Sequence, residues 1–136
     1  MWTKQWTAVL AVSMLGLAAG CMPIPSPTPA AIALSERDNN TQARVAIDGV
    51  VTVVLADNSG STGCTWQWIP ANDLVLEELI SGIKPSDSGL VGAPGEAVWV
   101  FSANTVGTTT LRMEKTCPDG SKTEFRVELT VMPGGF

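Results

Sequence analysis

Glu124–Val131 reads EFRVELTV. Phe125, Val127, Leu129 and Val131 alternate with Glu124, Arg126, Glu128 and Thr130. A period of two places the apolar side chains on one face and the polar ones on the other, the pattern of a strand with one buried and one wet side. Helical periodicity is nowhere sustained for a dozen residues, so this run sets the expectation for the remainder: an all-β domain.

Upstream, short β-branched or aromatic runs are separated by turn signals. Ala43–Ile47 ends at Asp48-Gly49, a tight-turn pair, and Val50–Leu55 follows. Thr65–Ile69 ends at Pro70, and Leu74–Ile80 ends near Ser81-Gly82. Ala97–Ala103 and Thr108–Lys115 are separated by Gly107. Seven or eight short strands in roughly 100 residues predict a two-sheet sandwich of immunoglobulin-like type. Trp66, Trp99 and Phe101 are expected in its core, where large aromatics bury the most area.

Ahead of this domain, residues 1–20 carry one positive charge, Lys4, and then an apolar segment, Thr7–Ala19. That is short for a membrane span and has the layout of an export signal. It closes on LAAGC, Leu17–Cys21, similar to a bacterial lipobox but with Leu17 one position early. The resemblance implies a lipid on Cys21, a mature chain that begins there, and a protein exported and anchored to the bacterial cell membrane. Residues 21–31 form a tether with Pro23, Pro25, Pro27 and Pro29, extended over roughly 30 Å at ~3.1 Å per residue. The folded domain is expected over 32–136.

The chain has 136 residues, enough for one domain, with 8 basic and 13 acidic side chains. Loss of the first twenty residues removes only Lys4, leaving a net charge of −6 with no basic cluster, which argues against nucleic acid as partner. Histidine is absent, which removes His-based triads, His-metal sites and the commonest general base. The three cysteines contain no CxxC pair, so neither a zinc site nor a redox motif is indicated. In an exported chain Cys64 and Cys117 are expected to pair. Cys64 follows Gly63 and Cys117 precedes Pro118, so the bridge is expected between two loop bases rather than through the core.

Between the runs ending at Leu55 and starting at Thr65 lies Asp57–Thr62, DNSGST, then Gly63. None of these residues anchors a core, and the stretch reads as a hairpin loop with a glycine bend. Ser59 and Ser61 have no His to activate them, so no enzyme is read here. Asp57 and Asp119 could form a carboxylate pair or a calcium site if their loops meet, but as loop carboxylates they are expected to be solvated.

These residues resemble the chagasin-like inhibitors of papain-type cysteine proteases over about Leu34–Val131. The family motif NPTTGYxW is matched by SGSTGCTW, Ser59–Trp66, through Thr62, Gly63 and Trp66, with Ser61 in place of its first Thr. GxGGxxxFxF is matched by Gly92, Gly95 and Phe101, with Pro94 at the middle Gly and Trp99 at an aromatic place. RPW is matched only by Pro118; Cys117 stands at the Arg place and Asp119 at the Trp place.

The resemblance implies a monomeric immunoglobulin-like sandwich whose three loops wedge into a protease cleft, with no catalytic group, cofactor or metal. Ser59, Gly60, Ser61, Thr62 and Gly63 would form the first contact loop. Gly92, Ala93, Pro94 and Gly95 would form the second, and Pro118 and Asp119 the third. A bulky side chain at Gly63 is expected to obstruct the wedge and spare the strands. The alternative is a surface-anchored protein-binding module that uses the same loops without inhibiting a protease, since fold alone does not fix function.

Overall fold

The computed structural model describes residues 27–86, 88–90 and 93–134. The expected signal peptide, Cys21 and Gly92 lie outside the described residues. Among the described residues, eight strands form two four-stranded sheets. One sheet runs β1 (Ala31–Leu34), β3 (Val50–Asp57), β6 (Gly95–Ala103), β5 (Leu76–Lys84). The other runs β2 (Thr41–Ala46), β8 (Lys122–Met132), β7 (Gly107–Thr116), β4 (Thr65–Ile69). The architecture is the expected immunoglobulin-like sandwich.

The alternation in β8 behaves as read: Phe125, Val127, Leu129 and Val131 are buried, while Glu124, Arg126 and Glu128 are exposed. They meet Val51, Val53, Leu55, Trp99 and Phe101 from the opposite sheet and Leu111 and Met113 from β7 in one core. Burying each such side chain contributes roughly 1.5–3 kcal/mol, and this, rather than any local propensity, holds the sheets together. Trp68 on β4 crosses the gap to pack edge-on against Phe101, ring centroids 4.9 Å apart.

Asp48-Gly49 turns the chain tightly, as expected, with the Gly49 amide donating to Ala46 O at 2.9 Å. Because β2 and β3 enter different sheets, the turn is a corner between layers. Gly49 is required there, because a Cβ would stand 2.6 Å from the carbonyl oxygens of Ala30 and Ala46. Ser81-Gly82 does not end its strand: β5 runs on to Lys84, with Gly82 opposite Val98, and stops at Pro85. Gly82 fits because β5 is a sheet edge, where a missing side chain leaves no void.

Candidate functional site

Three family-motif connections lie at one end of the sandwich, residues 58–64 between β3 and β4, 85–94 between β5 and β6, and 117–121 between β7 and β8, with the β1–β2 connection, 35–40, at the same end. Strand register sets them side by side. Asp57 closes β3 opposite Gly95, which opens β6. Thr65 pairs with Thr116, so Cys64 and Cys117 flank the last pair of the β4–β7 ladder. They are bridged, with Cα atoms 4.0 Å apart, and the bridge joins two loop bases as expected. The first loop is thus fastened to both of the others.

The first loop is not an irregular hairpin. Ser59–Thr62 forms one helical turn, α1. The amides of Ser61 and Thr62 donate to the Asn58 carbonyl at 3.0 and 2.9 Å, and the Gly63 amide donates to Ser59 O at 3.0 Å. The Thr62 hydroxyl also donates to Asn58 O, at 2.8 Å, and accepts from the Cys64 amide at 3.2 Å. Gly63 ends the turn at φ 72°, the left-handed stop that glycine adopts without penalty.

Asp57 is 6 % exposed, not solvated. β3 runs through it to pair with Gly95, and its carboxylate accepts from the Ser59 hydroxyl at 2.8 Å and the Ser59 amide at 3.3 Å. Those bonds tie the start of the loop to the strand end. Trp66 ties the other limb: its indole N–H donates to Ala56 O at 2.9 Å, across the sheets, while Lys115 Nζ lies 5.3 Å from its ring centroid. The motif aromatic is therefore an inter-sheet tie, half-buried at the loop end.

A Cβ on Gly63 would stand 2.9 Å from Pro118 Cγ. The first and third loops therefore pack on each other at Gly63. A bulky substitution there disturbs the loops themselves, contrary to the expectation that it would act only at an interface.

In the second loop, Gly95 has no room for a side chain, since its Cβ would run into the Lys84 carbonyl oxygen. Ala93 is half-buried and Pro94 exposed. A groove of about 430 Å³ on the outer sheet face reaches this loop through Pro85, Ser86 and Pro94. Another, of about 380 Å³, separates the first and second loops and is lined in part by Asp57, Gly60, Ile83 and Leu90. Ile83 and Leu90 are 59 % and 73 % exposed. Sequence reasoning missed them, because Ile83 lies past the expected end of its strand and Leu90 lies in the connection outside any motif position.

The third loop is a closed turn. The Cys117 amide donates to Ser121 O and the Gly120 amide to Cys117 O, both at 2.9 Å. The exposed Asp119 carboxylate accepts from the Ser121 hydroxyl at 2.7 Å and the Ser121 amide at 2.8 Å. The hydroxyl bond, with the amide bond second, holds its pKa below the usual carboxylate range. Asp119 and Asp57 thus each serve their own turn.

A rigid sandwich that gathers three mutually fastened loops at one end defines a loop-presenting binding protein. Residues 44–131 match the family model described as Chagasin family peptidase inhibitor I42, and the chain belongs to that family, whose members are inhibitors and not enzymes. Among solved structures, it is similar to the cysteine protease inhibitor EhICP2 from Entamoeba histolytica, with TM-score 0.66 and 20% identity over 79% of this chain and 100% of that one. It is also similar to amebosin, with TM-score 0.55 and 20% identity over the same shares, 79% and 100%. At that identity the likeness speaks to the fold. No curated protein matches the chain.

Proposed function

We propose that this protein is a lipid-anchored, reversible inhibitor of papain-type cysteine proteases. The observation that carries the reading is the fastening of the three family-motif loops to one another, by the Asp57–Gly95 pairing on one side and the Cys64–Cys117 bridge on the other. Loops held in this way lose little conformational freedom when a partner binds, so more of the contact energy appears as affinity. The helical turn Ser59–Thr62 and Gly63 enter the centre of the cleft. Ala93, Pro94 and Gly95, with Gly92, line one side, and Pro118 and Asp119 the other. The similarity of the fold to a named cysteine protease inhibitor supports this partner class.

The kinetic test is competition. Inhibition of papain should raise the apparent KM for a peptide substrate, leave kcat unchanged and reverse on dilution. Ser61 is exposed on the helical turn. Ser61→Trp should therefore weaken inhibition at least tenfold, about 1.4 kcal/mol, with little change in Tm. Inhibition that lowers kcat alone, with substrate still bound, would contradict insertion into the cleft.

The anchor rests on the LAAGC ending and the proline-rich tether that follows it. A lipid on Cys21 would hold the protein at the bacterial cell membrane, one inhibitor domain per anchored chain. Intact-mass measurement of the membrane fraction should show acyl chains on Cys21, and Cys21→Ser should release the protein; an unmodified mass in that fraction contradicts the anchor.

A further inference from the structure

We propose that Glu36, which precedes the family-matched residues 44–131, is a positioning residue for the first loop. The chain crosses from the first sheet to the second through a single 3-10 turn, Glu36–Asp38. The Ser35 amide donates to the Asp38 carboxylate at 2.8 Å and the Asp38 amide to Ser35 O at 2.9 Å, which fixes the turn internally. From it, Glu36 Oε1 reaches β3 and accepts the Ala56 amide at 2.7 Å. On the other side, Asn39 Oδ1 accepts the Arg126 amide of β8 at 2.9 Å. The turn therefore straps the two sheets together.

The position of the strap matters. β1 pairs with β3 only as far as Leu34 opposite Val53, so no neighbouring strand of the β1 side meets Ala56. Both backbone groups of Ala56 are taken by side chains from elsewhere: the amide by Glu36, twenty residues earlier, and the carbonyl by Trp66, ten residues later. The next residue, Asp57, caps the first loop through Ser59. Glu36 and Trp66 thus grip the peptide from which the loop springs. If either lets go, α1 can tilt relative to Pro118 and Gly95. Glu36 acts through the loop's placement, not through contact with a partner, and its effect on inhibition rests on the reading under Proposed function.

The test compares Glu36→Ala and Glu36→Gln in the full chain, held in detergent micelles. Two readouts are taken: hydrogen exchange resolved to residues 56–64, and the inhibition constant for papain. Gln keeps the accepting oxygen, so it should retain wild-type exchange and inhibition within about twofold. Ala should speed exchange at Ala56–Gly63, leave β7 and β8 protected, and weaken inhibition by roughly three- to tenfold, the range for net loss of one ordinary hydrogen bond, since this one is exposed to solvent. Unchanged exchange at Ala56–Gly63 in Glu36→Ala would overturn the proposal. So would faster exchange spread over the whole domain, or a Gln variant as impaired as Ala. If the wild-type chain does not inhibit papain, the functional reading falls, and the exchange comparison alone decides whether Glu36 positions the loop.

Discussion

Substituting Gly63 by Ala exposes how the loops are fastened. Gly63 sits at φ 72°, where a residue with a Cβ costs roughly 1–2 kcal/mol. The added methyl would also stand 2.9 Å from Pro118 Cγ and 3.6 Å from its Cδ. Pro118 has little freedom to withdraw, because its ring is closed on the backbone and its neighbour Cys117 is bridged to Cys64. Relieving that contact adds an overpacking cost near the lower end of ~1–3 kcal/mol. The sum is about 2–3 kcal/mol, which in a domain near 100 residues lowers Tm by on the order of 10–20 °C.

Two controls separate the contributions. Gly120 also has positive φ, 86°, but nothing lies within 4 Å of its would-be Cβ, so Gly120→Ala should show the backbone cost alone, about 1–2 kcal/mol. Pro118→Ala removes Cγ, so combining it with Gly63→Ala should recover the contact share as a favourable coupling in a double-mutant cycle. Thermal unfolding followed by circular dichroism under oxidising conditions reads all four variants. A Gly63→Ala protein that melts with the wild type, or a cycle with no coupling to Pro118, would refute the packing argument.

Two further outcomes follow from the same loops. The Cys64–Cys117 bridge closes a separation of 53 residues, which in the chain-entropy model stabilises the fold by about 4 kcal/mol. Replacing both cysteines by Ala should then lower Tm by roughly 15–25 °C, and a shift under about 5 °C would show the bridge to be a minor contributor. Asp119 is held ionised by Ser121, so its folded pKa lies below its unfolded value. Its contribution is complete above the ordinary aspartate pKa of about 4 and lost as pH falls through the lower folded value. A carboxyl-carbon NMR titration should give a midpoint below that ordinary value, with the Ser121 amide shift following it; a midpoint at or above it contradicts the closed turn.

The strands were legible where one face is buried and one wet. β8 and β4 could be placed from residue types alone, because Phe125–Val131 alternates and Pro70 ends Thr65–Ile69. β1 was missed since AIAL is four residues long and is stabilised by parallel pairing to β3, a partner that no local pattern names. The end of β5 was misread because Ser81-Gly82 has turn composition, yet at a sheet edge that composition is compatible with a strand.

At the site, the three loops and the disulfide were legible from motif residues and loop-mouth cysteines. The helical turn was not, although Gly63 three to four residues after Ser59 and Gly60 is a helix-stop signal that could have suggested it. The burial of Asp57 was illegible because it depends on β3 continuing past Leu55 to meet Gly95, which is a matter of register. Asp119 is legible only as the residue at the family's Trp place, whereas the Ser121 hydroxyl and amide make it the acceptor of its own turn.

The central claim is that the three fastened loops occlude a papain-type active site. Titration of active papain with the full-length chain in detergent, read by hydrolysis of a fluorogenic peptide, tests it most directly. Activity should fall with each addition and vanish near one equivalent when the protease is well above the inhibition constant, with an unreactive catalytic-site blank showing no drift. Papain that remains fully active with the inhibitor at micromolar excess would contradict the account, and the same loops would then belong to a binding module with another partner.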